Sequence, residues 1–283
     1  MSGICFRLLA VLLMNVPLAA CSGLPGPSGN TNGEDYRLKV SGKTFENQEL
    51  AALLYSRKDR PAGMLEFENC QFNGETSFIL PKGIYQAFPA TAVFRNCSFN
   101  GELHGEKNQF LGQINFSKCS FAKNVSFQNA AFLAPVGFRE CNFNLDFLFQ
   151  NVLAMKEATW MGSHFYGISF FQGCRFFEKA QFQNAIFHGN SDFTLCRFAE
   201  GALFDFVRAE GKLDFMESRT EGLMTFRKAE CQKTVDLSRM KSFAPIRFFE
   251  TTLKDSVVTS GMTFYSDRLE FKETKGKFLP AER

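Results

Sequence analysis

Four cations recur at a fixed interval: Arg175, Arg197, Arg219 and Lys241 stand 22 residues apart. Three carboxylates, Asp192, Asp214 and Asp236, share that interval. Residues repeating with one period can be stacked by a regular structure into columns. A column of Arg side chains offers planar forks to phosphate, carboxylate or an acidic glycan. The same column repels itself unless solvent, neighbouring acids or a bound anion screens it. Glu178, Glu200 and Glu221 are the nearby acids that could turn it into an ordinary solvated face. Stacked Asp carboxylates about 5 Å apart would match a retaining glycosidase pair. No nucleophile–base motif accompanies them, however, and His104, His164 and His188 fall at three different positions of the repeat. No C-x-x-C spacing occurs, so metal binding is not expected. The expectation is a possible anion-binding ladder at Arg175, Arg197, Arg219 and Lys241, with no catalytic residue, no metal and no cofactor.

The elements that would stack these columns are legible in the phenylalanines, which number 36 against one Trp and five Tyr. One series, Phe116, Phe127, Phe138, Phe149, Trp160, Phe171, Phe182, Phe193, Phe204, Phe215, Phe226, Leu237 and Phe248, steps by 11. A second aromatic follows most of these after five residues, as at Phe121, Phe132, Phe143, Phe165, Phe176, Phe187 and Phe198. Smaller residues sit two positions before them, such as Val125, Val136, Cys119, Cys141, Cys174 and Cys196. Each small–x–large triplet puts two side chains on one side of a short strand. The intervening residues must turn a corner, which makes a solenoid with an internal core. Cys97, Cys119 and Cys141 are 22 apart, as are Gln128, Gln150 and Gln172. Two units of 11 therefore close one coil with four sides. The span 94–264 makes about eight such coils, about 37 Å long at ~4.8 Å per strand.

With that unit in hand, the sequence resembles the pentapeptide-repeat family, in its Phe-centred subgroup with alternating steps of five and six. Ser191-Asp192-Phe193, Leu213-Asp214-Phe215 and Val235-Asp236-Leu237 carry the small–Asp–large pattern, although Leu213 is larger than the usual alanine. The resemblance implies an all-β, right-handed quadrilateral parallel β-helix of about 22 residues per coil. It also implies that Asp before the central residue is a feature of the repeat rather than a catalytic signature.

The N-terminus is a targeting segment. Arg7 precedes the apolar run Leu8–Met14, which is too short to span a bilayer and has the layout of a secretory signal. Leu18-Ala19-Ala20-Cys21 resembles a bacterial lipobox, which implies lipidation at Cys21. Ser22 in place of Asp implies the outer membrane, facing the periplasm. The expected organisation is a signal peptide at 1–20, a flexible tether at 21–37 and an N-terminal cap at 38–66. The solenoid follows at 67–265, then a charged tail at 266–283. Leu50, Leu53 and Leu54 have helical spacing and suggest a short capping helix. The sixteen-residue gap from Phe78 to Phe94 suggests a loop or a bent coil. Smaller residues at Ala209, Thr220, Cys231 and Ser242 suggest a core that thins toward the C-terminus. The buried-filler positions of the cysteines favour free thiols.

A net charge of +3 is too small to argue for nucleic acid. The expected partners are a membrane, through the lipid anchor, and an envelope protein or anionic glycan. The expected function is a non-enzymatic scaffold. A polysaccharide-active β-helix enzyme is the alternative. Topoisomerase inhibition, known in the family, conflicts with export and with the charge balance.

Overall fold

The computed structural model describes residues 37–54, 63–79, 86–265 and 269–279. Short parallel strands wind into a β-solenoid with four faces. One coil shows the plan: Ile114–Ser117 on face one, Ser120–Phe121 on face two, Val125–Ser126 on face three and Ala131–Phe132 on face four. Each strand pairs in parallel with its counterpart 22 residues on, as Phe116 with Phe138 and Phe121 with Phe143. Face one is an 11-stranded sheet and face four a 9-stranded sheet. Faces two and three are joined near the C-terminal end, where the long strand Thr252–Val258 pairs with both.

The two phenylalanine series serve different faces. The series stepping by 11 fills faces one and three alternately, and the second series fills faces two and four. On face one, Phe94, Phe116 and Phe138 stack at ring separations of 4.6 and 4.9 Å, within 7° of parallel. Trp160, Phe182 and Phe204 continue the column at 4.8 Å per step. Rings from opposite faces meet edge-on, as Phe182 meets Phe193 at 5.2 Å. Offset-parallel contacts along the axis and edge-to-face contacts across it both suit the ring quadrupole. These side chains are buried.

Corners recur as faithfully as faces. Asn96, Lys118, Glu140, Asn184 and Phe206 turn the corner from face one to face two with φ between 53 and 60°. Lys107, Asn129, Asn151, Leu195 and Glu217 do the same between faces three and four, at φ 54 to 59°. Asn129 and Asn151, adjacent to the glutamine column, are thus corner residues. The left-handed region favours Asn and Gly, and Gly162 and Gly173 occupy these columns at φ 69 and 71°.

The solenoid is longer than its regular phase. Arg37–Ser41 pairs with Met64–Glu68, and that strand with Thr91–Arg95, so most of the expected cap belongs to 27-residue coils. Five extra residues in each break the 11-residue phase, which hides these coils in the sequence. The helix is one short turn, Leu50–Leu53, and Leu50, Leu53 and Leu54 are buried beneath it. At the other end Leu269–Lys272 and Lys275–Leu279 pair with Ile246–Phe249 and Thr252–Val258. Much of the expected tail is therefore strand. Of the loop between Phe78 and Phe94, residues 80–85 lie outside the described residues.

The core does not thin where the second phenylalanine series ends. Ala209, Thr220, Cys231 and Ser242 are all buried, and the volume they give up is taken by Leu213, Met224, Met240 and Ile246, also buried. Leu213 stands where the two preceding coils carry Ser169 and Ser191, Met224 and Ile246 where earlier coils carry Ala180 and Ala202, and Met240 where they carry Cys174, Cys196 and Ser218. Volume-conserving exchange of this kind keeps interior density. Leu213, the departure from the small–Asp–large pattern, is part of that exchange.

Candidate functional site

The four cations lie on face four, one in each of four successive strands. Arg175 pairs in register with Arg197, Arg197 with Arg219, and Arg219 with Lys241. All four are exposed, because each precedes an inward residue: Phe176, Phe198, Thr220 or Ser242. Alternation along the strand leaves these side chains no other direction.

Their electrostatics are uneven. Glu221 lies between two rungs: Arg197 Nε and a terminal nitrogen donate to its two oxygens at 3.0 Å each. Arg219 Nε lies 2.7 Å from Glu221 Oε1, and its guanidinium sits 4.3 Å from the centre of the Phe243 ring. The Arg197 hydrogen bond holds the Glu221 carboxyl below its usual range. Glu178 turns instead to Lys156 at 2.9 Å. Among the described residues, no carboxylate pairs with Arg175 or Lys241. The inner rungs of the ladder are screened and the outer rungs are not. N-terminal to Arg175 the cation column holds Leu153, and the column two residues on along the face holds Leu133 and Phe177, both exposed.

The acidic column lies on face three and is held by the fold. Asp192 Oδ1 accepts from the Thr194 amide at 2.8 Å, Asp214 Oδ1 from Met216 at 3.0 Å and Asp236 Oδ1 from Ser238 at 3.0 Å. Each carboxylate thus closes an Asx-type turn at the start of a corner. The Lys212 ammonium then bridges Asp214 and Asp236, at 2.8 and 2.9 Å. Burial pushes the Asp236 carboxyl up, but the bonds from Lys212 and Ser238 outweigh it and hold it below its usual range. The column presents a chelated ammonium rather than a free pair of carboxylates.

The histidines stand apart from both columns. His104 lies between Glu106 at 3.1 Å and Glu102 at 3.5 Å, and the Glu106 hydrogen bond raises its pKa. His164 and His188 approach to 6.1 Å between ring centres, although they hold different repeat positions. His188 stacks on Tyr166 at 4.5 Å and pairs with Glu210 at 2.9 Å. Among the described residues no group of three or more His, Cys, Asp or Glu is arranged to hold a metal.

The seven described cysteines are buried and unbridged. Cys174 and Cys196 donate to the carbonyls of Phe149 and Phe171, 25 residues earlier in the chain, at 2.8 and 2.9 Å. The amide column is bonded at its first step, where Gln128 Nε2 donates to Gln150 Oε1 at 2.6 Å. Cys21 lies outside the described residues. Among those described, no helix is long and apolar enough to cross a membrane.

Comparison with known proteins finds no matching family model, no matching curated protein and no matching solved structure.

Proposed function

We propose that this protein is a non-enzymatic, lipid-anchored scaffold of the bacterial envelope that engages an anionic partner through face four. The carrying observation is the in-register column Arg175, Arg197, Arg219 and Lys241, whose outer members have no carboxylate partner among the described residues. A flat array of three guanidinium groups and one ammonium at the strand spacing of about 4.8 Å suits a partner with regularly spaced carboxylates or phosphates. Acidic glycans and acidic protein surfaces both have that chemistry. Lipidation at Cys21 would hold the solenoid at the membrane, with residues 22–34, rich in Gly, Pro, Ser and Asn, as tether. The same reading groups the chain with Phe-centred pentapeptide-repeat proteins, on its 22-residue coil and alternating steps of five and six.

The test is affinity capture from solubilised envelopes, comparing the full-length chain with an Arg197→Ala/Arg219→Ala variant and with a variant lacking all four cations. An anionic partner is expected to be retained by the parent, reduced in the double variant and lost in the fourfold variant. Equal recovery on all three would refute the assignment to face four. Fractionating cells that express Cys21→Ser checks the anchor: the variant should leave the membrane fraction, and an unchanged distribution would refute lipidation.

A further inference from the structure

Face one carries a shallow groove across three coils near its C-terminal end, lined by Leu203, Asp205, Thr225, Arg227, Arg247 and Phe249. It is separate from the cation ladder on face four. Phe206 stands beside Asp205 at the rim and is 42% exposed. It occupies a corner column where Gly162, Asn184, Lys228 and Glu250 stand in other coils, and it holds φ 60°. That left-handed φ is shared by every described corner of the column, so it is the bulky exposed ring and not the backbone that sets this coil apart.

The groove's polar groups are matched pairs. Arg227 Nε lies 3.6 Å from Asp205 Oδ2, and its guanidinium is 5.3 Å from the centre of Phe206. Arg247 Nε lies 2.8 Å from Glu270 Oε2, and its guanidinium is 5.9 Å from the centre of Phe249. Each of the two guanidiniums is thus matched by a carboxylate, Asp205 in the lining and Glu270 one coil beyond it. Among the described residues Thr225 Oγ1 has no hydrogen-bond partner. Donors and acceptors therefore lie beside two aromatic rings, Phe249 in the lining and Phe206 at the rim, on coils two steps or about 10 Å apart.

We infer that this groove binds an uncharged glycan segment. Sugar hydroxyls donate and accept at once, so they can use a guanidinium and a carboxylate side by side. The C–H faces of a sugar ring pack against Phe206 and Phe249, as apolar ligand surfaces pack on aromatic walls. An acidic ligand fits less well, because it would meet Asp205 in the groove and Glu270 at its edge, and both guanidiniums are already paired. The span suits a disaccharide unit. This inference does not depend on the anionic partner of face four.

The test is calorimetric titration of the detergent-solubilised full-length protein with chitohexaose and maltohexaose as uncharged probes, and with polygalacturonate as a charged one. At least one hexaose should bind saturably, with affinity falling about tenfold in Phe206→Ala, the loss of one aromatic platform. Arg197→Ala/Arg219→Ala should leave hexaose affinity unchanged, which separates this groove from the ladder. Phe206 is exposed, so its variant should keep the parent circular dichroism. Phe249→Ala provides a second reading wherever it also keeps that spectrum. The inference is overturned if neither hexaose binds, if Phe206→Ala binds as tightly as the parent, or if polygalacturonate alone binds.

Discussion

Replacing Phe182 by Ala should remove a central support of the solenoid while leaving the strands on either side to report the loss. Phe182 is fully buried. It stacks between Trp160 and Phe204 at 4.8 Å on each side and meets Phe171 and Phe193 edge-on at 5.3 and 5.2 Å. Truncating a buried Phe costs about 3–5 kcal/mol, because apolar transfer energy is lost and a cavity remains. The upper part of that range applies here, since neighbouring backbones are pinned by strand pairing on both sides and cannot collapse inward. Single-domain stabilities are about 5–15 kcal/mol, so the variant should lose a large share of its margin. Urea unfolding followed by circular dichroism measures the total. Fluorescence of Trp160, the only tryptophan, reports on the neighbouring coil. Nearest-neighbour coupling predicts that both signals move. Phe206→Ala is the control: that ring is displayed at a corner, and its loss should change stability by less than about 0.5 kcal/mol. A cost below about 1 kcal/mol for Phe182→Ala, or equal costs for both variants, would refute the stacked-core account.

Trp160 interrupts a phenylalanine column: it lies 6.4 Å from Phe138, against 4.8 Å on its other side, and its buried Nε1 has no acceptor among the described residues. Trp160→Phe removes an unsatisfied donor worth about 1–3 kcal/mol and opens a small cavity, so thermal unfolding should show equal or higher stability; a loss above about 2 kcal/mol would contradict this. Glu66 accepts from Arg37 at 2.9 Å, which holds its carboxyl below the usual range. A carboxyl depressed in the folded state contributes stability above its unfolded pKa of about 4.3 and loses it as pH falls through the folded value. Unfolding midpoints of the parent should therefore fall on acidification more steeply than those of Glu66→Gln; parallel curves would refute the pairing. Burial pushes the Cys119 thiol up and that of Cys231 up to about 12. Iodoacetamide should label these two positions, mapped by mass spectrometry, in urea and spare them in the folded protein; labelling without urea would show that the core is open.

The fold was legible because a four-sided coil constrains its sequence at every turn. Phe116, Phe127 and Phe138 step by 11 because alternate members lie on opposite faces of one coil. The first coils were hidden because their 27 residues break that phase, although Phe67 and Phe72 still fill the face-one and face-two positions. The C-terminal core was misread because volume was counted at one position, while Leu213 and Met224 restore it at another. For the candidate site, the spacing of the cations revealed the ladder but not its screening. Glu178, Glu200 and Glu221 are alike in sequence, and only packing turns Glu178 to Lys156 and Glu221 to Arg197 and Arg219. The face-one groove left no periodic trace because its columns mix residue types: Leu203, Thr225 and Arg247 in one, Asp205, Arg227 and Phe249 in the other. Its one sequence signal was Phe206, a ring in a column of small or charged corner residues.

The most direct test of the face-four account compares two double variants that remove the same charge. Glu221 already screens Arg197 and Arg219, whereas Arg175 and Lys241 have no carboxylate partner among the described residues. Polygalacturonate binding by the purified protein, measured across a range of salt concentrations, should weaken as salt rises. Affinity should fall further in Arg175→Ala/Lys241→Ala than in Arg197→Ala/Arg219→Ala. Equal losses in the two variants, or binding insensitive to salt, would contradict the claim that the unscreened ends of the ladder hold the partner.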